Sequence, residues 1–157
     1  MEQHKSDDIK RITTPLTDEV VASFRAGDRV LLSGVLIGAR DAAHRRFVEL
    51  IEEGKPLPFD PKGQVVYYAG PAPARPGAIM GPVAPTTALR MDAYTPALLA
   101  HGIRGTIGKG NRGPEVREAL QKYRGVYFAG IGGASVLLSS GTGTGQLTVE
   151  PEATEAA

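Results

Sequence analysis

Three cations stand where the chain turns from one kind of segment to the next. Arg40 separates an apolar run from a helical one, Arg90 follows Thr86-Thr87 in a proline-bounded loop, and Lys109 sits between Gly108 and Gly110. Arginine offers a planar fork of donors that fits a carboxylate, and lysine a compact point charge. In α/β sheets, ligands collect beyond the carboxyl ends of strands, where helix amino termini add N–H donors. Three cations on three such segments suit a small polycarboxylate. Spacing alone leaves a second reading open, in which they are ordinary surface cations on loops. The Thr86 and Thr87 hydroxyls either bind a ligand or only tie their own turn. Asp41 and His44, three residues apart, either orient a ligand or relay a proton, or form a local pair at a helix start.

Other chemistries fail on the residues present. The 157 residues include no cysteine, which removes thiolate nucleophiles, Cys-ligated zinc and a self-held iron–sulfur cluster. His4, His44 and His101 are scattered and leave no metal constellation. A P-loop needs Ser or Thr after its lysine, but Gly110 follows Lys109. Gly130-Ile131-Gly132-Gly133 follows a strand-like run, yet no third glycine falls at 135, so a dinucleotide fingerprint is incomplete. A net charge of +1 is no footprint for nucleic acid or a membrane surface. No apolar run approaches the roughly 18–20 residues that span a bilayer, and the amino terminus is polar. The expectation is a soluble cytoplasmic protein.

The elements that must place these residues alternate. Val30–Ile37 reads as one buried strand, and 41–53 as a helix with Ala43, Phe47, Leu50 and Ile51 on one face. Asp41 is its expected N-cap and Gly54 its stop. Val65–Ala69 is a second strand, and 70–85 is a long Pro/Gly-rich loop of a kind that often carries function. Thr95-Pro96 opens a short helix with Thr95 as cap; 105–108 is a short strand; 114–122 is a helix; 126–129 is a strand. A last helical turn is expected from Ala134 to Leu138. This alternation predicts an α/β domain with a mixed, partly parallel sheet. Residues 1–11 read as a flexible tail and 12–138 as the domain. Small, polar and acidic residues make 139–157 read as a largely disordered tail, with a short strand at 146–149.

Several strings, taken in order, are more specific than spacing. Arg40-Asp41-Ala42-Ala43-His44-Arg45-Arg46, the runs LPFD (57–60) and GQVVYY (63–68), Pro85-Thr86-Thr87-Ala88-Leu89-Arg90-Met91-Asp92 and Ile107-Gly108-Lys109-Gly110-Asn111 resemble segments of the class I fumarases. The related L(+)-tartrate dehydratase beta subunits share them. Gly132-Gly133-Ala134 continues the series. The resemblance implies a single swivelling β/β/α domain, made as a beta subunit of a hydro-lyase that reversibly hydrates fumarate to L-malate. It implies a partner alpha subunit holding a [4Fe-4S] cluster, with the active site between the two and a small dicarboxylate as substrate. By the same carry-over Thr86 and Lys109 are catalytic, Thr86 in proton transfer. Arg40, Thr87, Arg90 and Lys109 bind substrate, and Asp41 and His44 orient Arg40 from behind. The chain itself is expected to hold no metal. Two departures stand out: Ala84 replaces a glycine before Pro-Thr-Thr, and 139–157 does not resemble the family's ending. The alternatives are a tartrate dehydratase beta subunit and a non-catalytic anion-binding domain.

Overall fold

The structure, a computed structural model, describes residues 9–71, 76–77, 83–130 and 147–152. In chain order the elements are β1 (Ile9–Thr13), α1 (Asp18–Ala22), β2 (Arg29–Ser33), β3 (Ile37–Gly38), α2 (Asp41–Glu52), β4 (Val65–Tyr67), β5 (Ala69–Pro71), β6 (Val83–Pro85), a 3-10 turn (Ala88–Met91), α3 (Thr95–Ala100), β7 (Gly105–Gly108), α4 (Pro114–Tyr123), β8 (Val126–Gly130) and β9 (Leu147–Glu152). Among the described residues the main sheet has seven strands in the order β1-β2-β9-β8-β7-β4-β3, and β5 and β6 form a separate ribbon. The pairs β3–β4, β4–β7 and β7–β8 are parallel, as is β1–β2; β9 joins these two groups by running antiparallel to β2 and to β8. The expected mixed α/β sheet is present.

Strands covered on both faces need apolar residues at consecutive positions, because neighbours point to opposite sides. Val65 and Tyr67 pack with Leu16, Val21, Val30, Ile107, Val126 and Phe128 on one face. Val66 and Tyr68 pack on the other with Phe47, Met91, Leu98, Leu99, Val116, Leu120 and Tyr127. Helices α2, α3 and α4 thus cover one face, and α1 with the amino-terminal segment covers part of the other. The α2 stripe holds Phe47, with Ala43, Leu50 and Ile51 packed against the core as the periodicity requires. It also includes His44, which is fully buried.

Several expectations need correction. The single strand at Val30–Ile37 is two strands that sit far apart in the sheet. Gly34 separates them at φ +106°, where a Cβ would fall 2.4 Å from the Thr14 hydroxyl oxygen. Residues 9–11, read as tail, belong to β1. The short strand expected at 146–149 is β9, which extends to 147–152 and sits between β2 and β8. The long loop after β4 pairs its own ends as β5 and β6, and Ala84 lies extended there opposite Gly70, a backbone that any residue adopts. Arg40, not Asp41, is the N-cap of α2; Tyr94, not Thr95, is that of α3. The turn expected at 134–138, and Gly132 and Gly133, lie outside the described residues.

Candidate functional site

Strands β3, β4, β7 and β8 are parallel neighbours, so their carboxyl ends share one edge of the sheet. Arg40 follows β3, Tyr68 follows β4 and Lys109 follows β7. Thr86 and Thr87 follow β6 and reach the same edge by hydrogen bonds. Thr86 N and Oγ1 both donate to the Tyr68 carbonyl, at 2.7 and 2.9 Å. Lys109 N donates to the Thr86 carbonyl at 3.1 Å, and Ala88 N to the Lys109 carbonyl at 2.9 Å, an isolated parallel bridge that aligns Thr87 with Lys109. Gly108 makes this approach possible: a Cβ there would lie 2.8 Å from Tyr68 Cδ2 and 2.9 Å from Ala88 Cβ. Arg40, Thr87, Arg90 and Lys109 are exposed and Thr86 is half-buried. This chain therefore presents the set on an open surface.

Arg90 lies in the 3-10 turn, and its Nη2 donates to Asp41 Oδ2 at the start of α2. Asp41 therefore pairs with Arg90, forty-nine residues away, rather than with Arg40. His44 holds the Arg40 segment by its backbone, with Nδ1 2.8 Å from the Arg40 carbonyl oxygen. A carbonyl only accepts, so Nδ1 carries the proton in the neutral ring. Burial pushes the His44 pKa down, opposed by that hydrogen bond and abetted by the Arg112 charge. The ring packs on Phe47, Tyr68 and Tyr94, which keeps its Nε2 buried with no hydrogen-bond partner among the described residues. His101, expected at a helix end, caps α3.

Behind the exposed set lies a buried polar cluster that the sequence does not announce. Arg112 donates from Nη1 to the Ala88 carbonyl at 3.0 Å. Its Nη2 donates to the Tyr68 hydroxyl at 3.0 Å and to Thr95 Oγ1 at 2.7 Å. Its Nε stands 3.2 Å from Asp92 Oδ1, close enough for charge pairing but too bent for a hydrogen bond. Asp92 Oδ2 accepts from Gly113 N at 2.6 Å. The guanidinium carbon lies 5.0 Å from the Tyr68 ring centroid and 5.1 Å from that of Tyr127, within cation–π range. Tyr68 thus joins the cluster to Thr86 through one backbone carbonyl, and to α2 through its edge contact with His44. The only sequence signal for Arg112 is its place directly after the IGKGN string, and for Asp92 its place closing the PTTALRMD string.

The family described as Fumarase C-terminus matches residues 1–144. The chain belongs to that family. The Fumarase C-terminus match takes in every site residue named above, whereas strand β9 lies beyond it. The chain is 40% identical over 133 residues to fumarate hydratase 2 of Leishmania major, covering 84% of this chain and 23% of that protein. It is 40% identical over 122 residues to the anaerobic class I fumarate hydratase of Escherichia coli K12, covering 76% and 22%. It is 34% identical over 134 residues to the L(+)-tartrate dehydratase subunit beta of the same strain, covering 83% and 65%. The chain thus spans under a quarter of each of these fumarate hydratases and about two-thirds of that beta subunit.

An iron–sulfur cluster does not fit this chain's residues. The sequence has no cysteine, and among the described residues no three His, Asp or Glu side chains gather as metal ligands. Among the described residues, no helix is long and apolar enough to cross a membrane.

Proposed function

We propose that this chain is the beta subunit of a hydro-lyase that reversibly hydrates fumarate to L-malate. It supplies carboxylate-binding and proton-transfer residues to a site shared with an alpha subunit. The observation that carries this reading is the backbone bridge between Thr87 and Lys109, which aligns a hydroxyl pair with a lysine at the carboxyl ends of parallel strands. Arg90 beside them already binds a carboxylate, that of Asp41.

In this reading the roles follow from the chemistry of malate. Removing a proton beside a carboxylate builds negative charge on it, and fixed cations lower that barrier. Arg40 and Arg90 grip the carboxylates as forks, Lys109 adds a point charge, and Thr87 adds a hydroxyl donor. Thr86 Oγ1 moves the proton. Its own hydrogen rests on the Tyr68 carbonyl, which cannot take a proton, so a base outside this chain must activate it. Exposed cations stabilise a developing charge weakly, because water screens them. Their exposure here supports a partner that covers the site and excludes water. The [4Fe-4S] cluster belongs to that partner in this reading, and the swivelling β/β/α domain and cytoplasmic setting are part of it.

A second reading is an L(+)-tartrate dehydratase beta subunit. Its support is likeness: this chain is 34% identical over 134 residues to one such subunit. One experiment separates the two. The chain is co-expressed anaerobically with a cysteine-bearing alpha partner, and loss of fumarate absorbance is followed beside tartrate dehydration. Fumarate turnover supports the first reading and tartrate turnover the second. A stable complex that turns over neither rejects both.

A further inference from the structure

We propose that Arg112 is the positioning residue of this site, locking the segment that carries Thr86, Thr87 and Arg90 to the segment that carries Lys109. The proposal rests on the reading of those four residues as the substrate-facing set. Arg112 and Lys109 share one loop, three residues apart. From there the guanidinium grips the other segment on both sides of Arg90. It donates to the carbonyl of Ala88, two residues before, and pairs with Asp92, two residues after. Gly113 N, on the same loop, adds a hydrogen bond to Asp92, so the loop after β7 holds the 3-10 turn at both of its ends.

The residue type matters. The side chain of Arg112 is 2% exposed and meets four groups from three of its atoms. A planar guanidinium spans them; a lysine nitrogen, one point with three donors, cannot. A buried charge is a costly way to hold a fold together, since apolar packing of equal volume often does as well. What this charge adds is direction: it fixes where two exposed cations stand relative to each other. Arg112 is too deeply buried to touch a substrate on the exposed surface, so its effect on catalysis must pass through Arg90, Thr86 and Lys109.

The test uses Arg112→Lys in the assembled complex, read by kcat, KM and amide hydrogen exchange over residues 86–92 and 109–113. The expected result is a folded complex with KM little changed and kcat lowered about 10- to 100-fold, the scale of a misplaced clamp. Exchange at the Ala88 and Gly113 amides should rise while exchange in β4 and β8 stays unchanged. Millimolar guanidinium should restore part of kcat to Arg112→Ala. Should either variant fail to fold, Tyr68→Phe removes only the hydroxyl that Nη2 donates to, and should shift kcat and exchange the same way by less. Wild-type kcat in Arg112→Lys, or losses of activity that only follow the loss of folded protein with no guanidinium rescue, would overturn the proposal. If the wild-type complex turns over neither fumarate nor tartrate, the functional reading fails on its own. Exchange then decides: unchanged protection over both segments sinks the lock.

Discussion

The backbone carbonyl of Tyr68 accepts two hydrogen bonds from Thr86, one from its N–H and one from its hydroxyl. The residue assigned to proton transfer is thus held by two bonds to a fully buried strand-end residue. Thr86→Val keeps the shape and the N–H bond and loses only the hydroxyl. It should cost about 0.5–1.5 kcal/mol of stability, the net value of one hydrogen bond. It should cut kcat by about 10²–10⁴, the usual contribution of a general acid or base. Thr86→Ser should keep most of both. Urea melts and anaerobic fumarate assays check this. Near-full activity in the valine variant would remove Thr86 from the chemistry.

Arg90 and Asp41 give a contrasting expectation. Their side chains are 58% and 42% exposed, so their ion pair is worth little to folding. Arg90→Ala and Lys109→Ala should melt within about 0.5 kcal/mol of wild type. Each should lose about 2–4 kcal/mol of transition-state stabilisation, as preorganised charge does when removed. Arg40→Lys should also be harmful, because a point charge does not replace a fork. Asp41→Asn should leave stability intact and raise KM, since Arg90 loses its resting partner. A folded Arg90→Ala complex with wild-type kcat/KM would reject the clamp.

The placement of these cations was legible, because a charged residue beside glycine, proline or a helix start is read as an exposed loop residue, as Arg40, Arg90 and Lys109 are. The helices were legible because burying one face imposes a 3.6-residue period, as in Phe47, Leu50 and Ile51. The split of Val30–Ile37 was not, since a continuous apolar run says nothing about a glycine at φ +106° in its middle. The strand over 147–152 was only half visible: its small, polar and acidic surroundings mask a segment that fills the gap between β2 and β8. Arg112 was invisible for a physical reason. A charged residue is read as exposed by default, and only tertiary structure reveals that Asp92, Tyr68 and Thr95 pair it inside.

His44 makes stability depend on pH. Burial lowers its pKa below the usual 6.5, so below 6.5 the unfolded chain binds a proton that the folded chain resists. Its contribution is complete above pH 6.5 and is lost as pH falls from there toward the lowered folded value. Arg112 deepens the shift and Asp41 opposes it. Asp28, held below 3.8 chiefly by its hydrogen bond from Lys10, loses its own contribution only at lower pH, so the windows separate. Urea melts between pH 5 and 7.5 should show stability falling with acid in wild type, and a flatter profile in His44→Gln. An equal slope in both would assign the effect to other groups.

Gly108 and Gly110 flank Lys109 and should respond differently to alanine. At Gly108 the new methyl meets Tyr68 and Ala88 below 3.0 Å. Overpacking of this kind costs about 1–3 kcal/mol and displaces the Thr86 segment, so stability and kcat should fall together. At Gly110 nothing lies within 4 Å, but φ is +83°. The cost there is backbone strain alone, about 1–2 kcal/mol, with the Thr86 segment undisturbed. Melts paired with kcat distinguish the two. If Gly108→Ala loses stability without kcat, the close approach of β7 to Ala88 does not set the site's geometry.

Asp92 and Arg112 should show strong coupling. The Arg112 side chain is 2% exposed and that of Asp92 15%, so each depends on the other for neutralisation. Asp92→Asn keeps the shape and an acceptor for Gly113 N but strands the guanidinium charge inside. Breaking one side of a buried pair costs about 3–5 kcal/mol, and Arg112→Met should cost similarly by stranding the carboxylate. Removing both leaves no stranded charge, and an apolar side chain then lies between two tyrosine rings. The double variant should therefore be more stable than the sum of the single losses predicts, by an interaction of about 1–3 kcal/mol. Urea melts of the four proteins close this cycle. Simple additivity would mean that water reaches the pair, and that the hydrogen bonds to Ala88, Tyr68 and Thr95, rather than the charge, hold Arg112 in place.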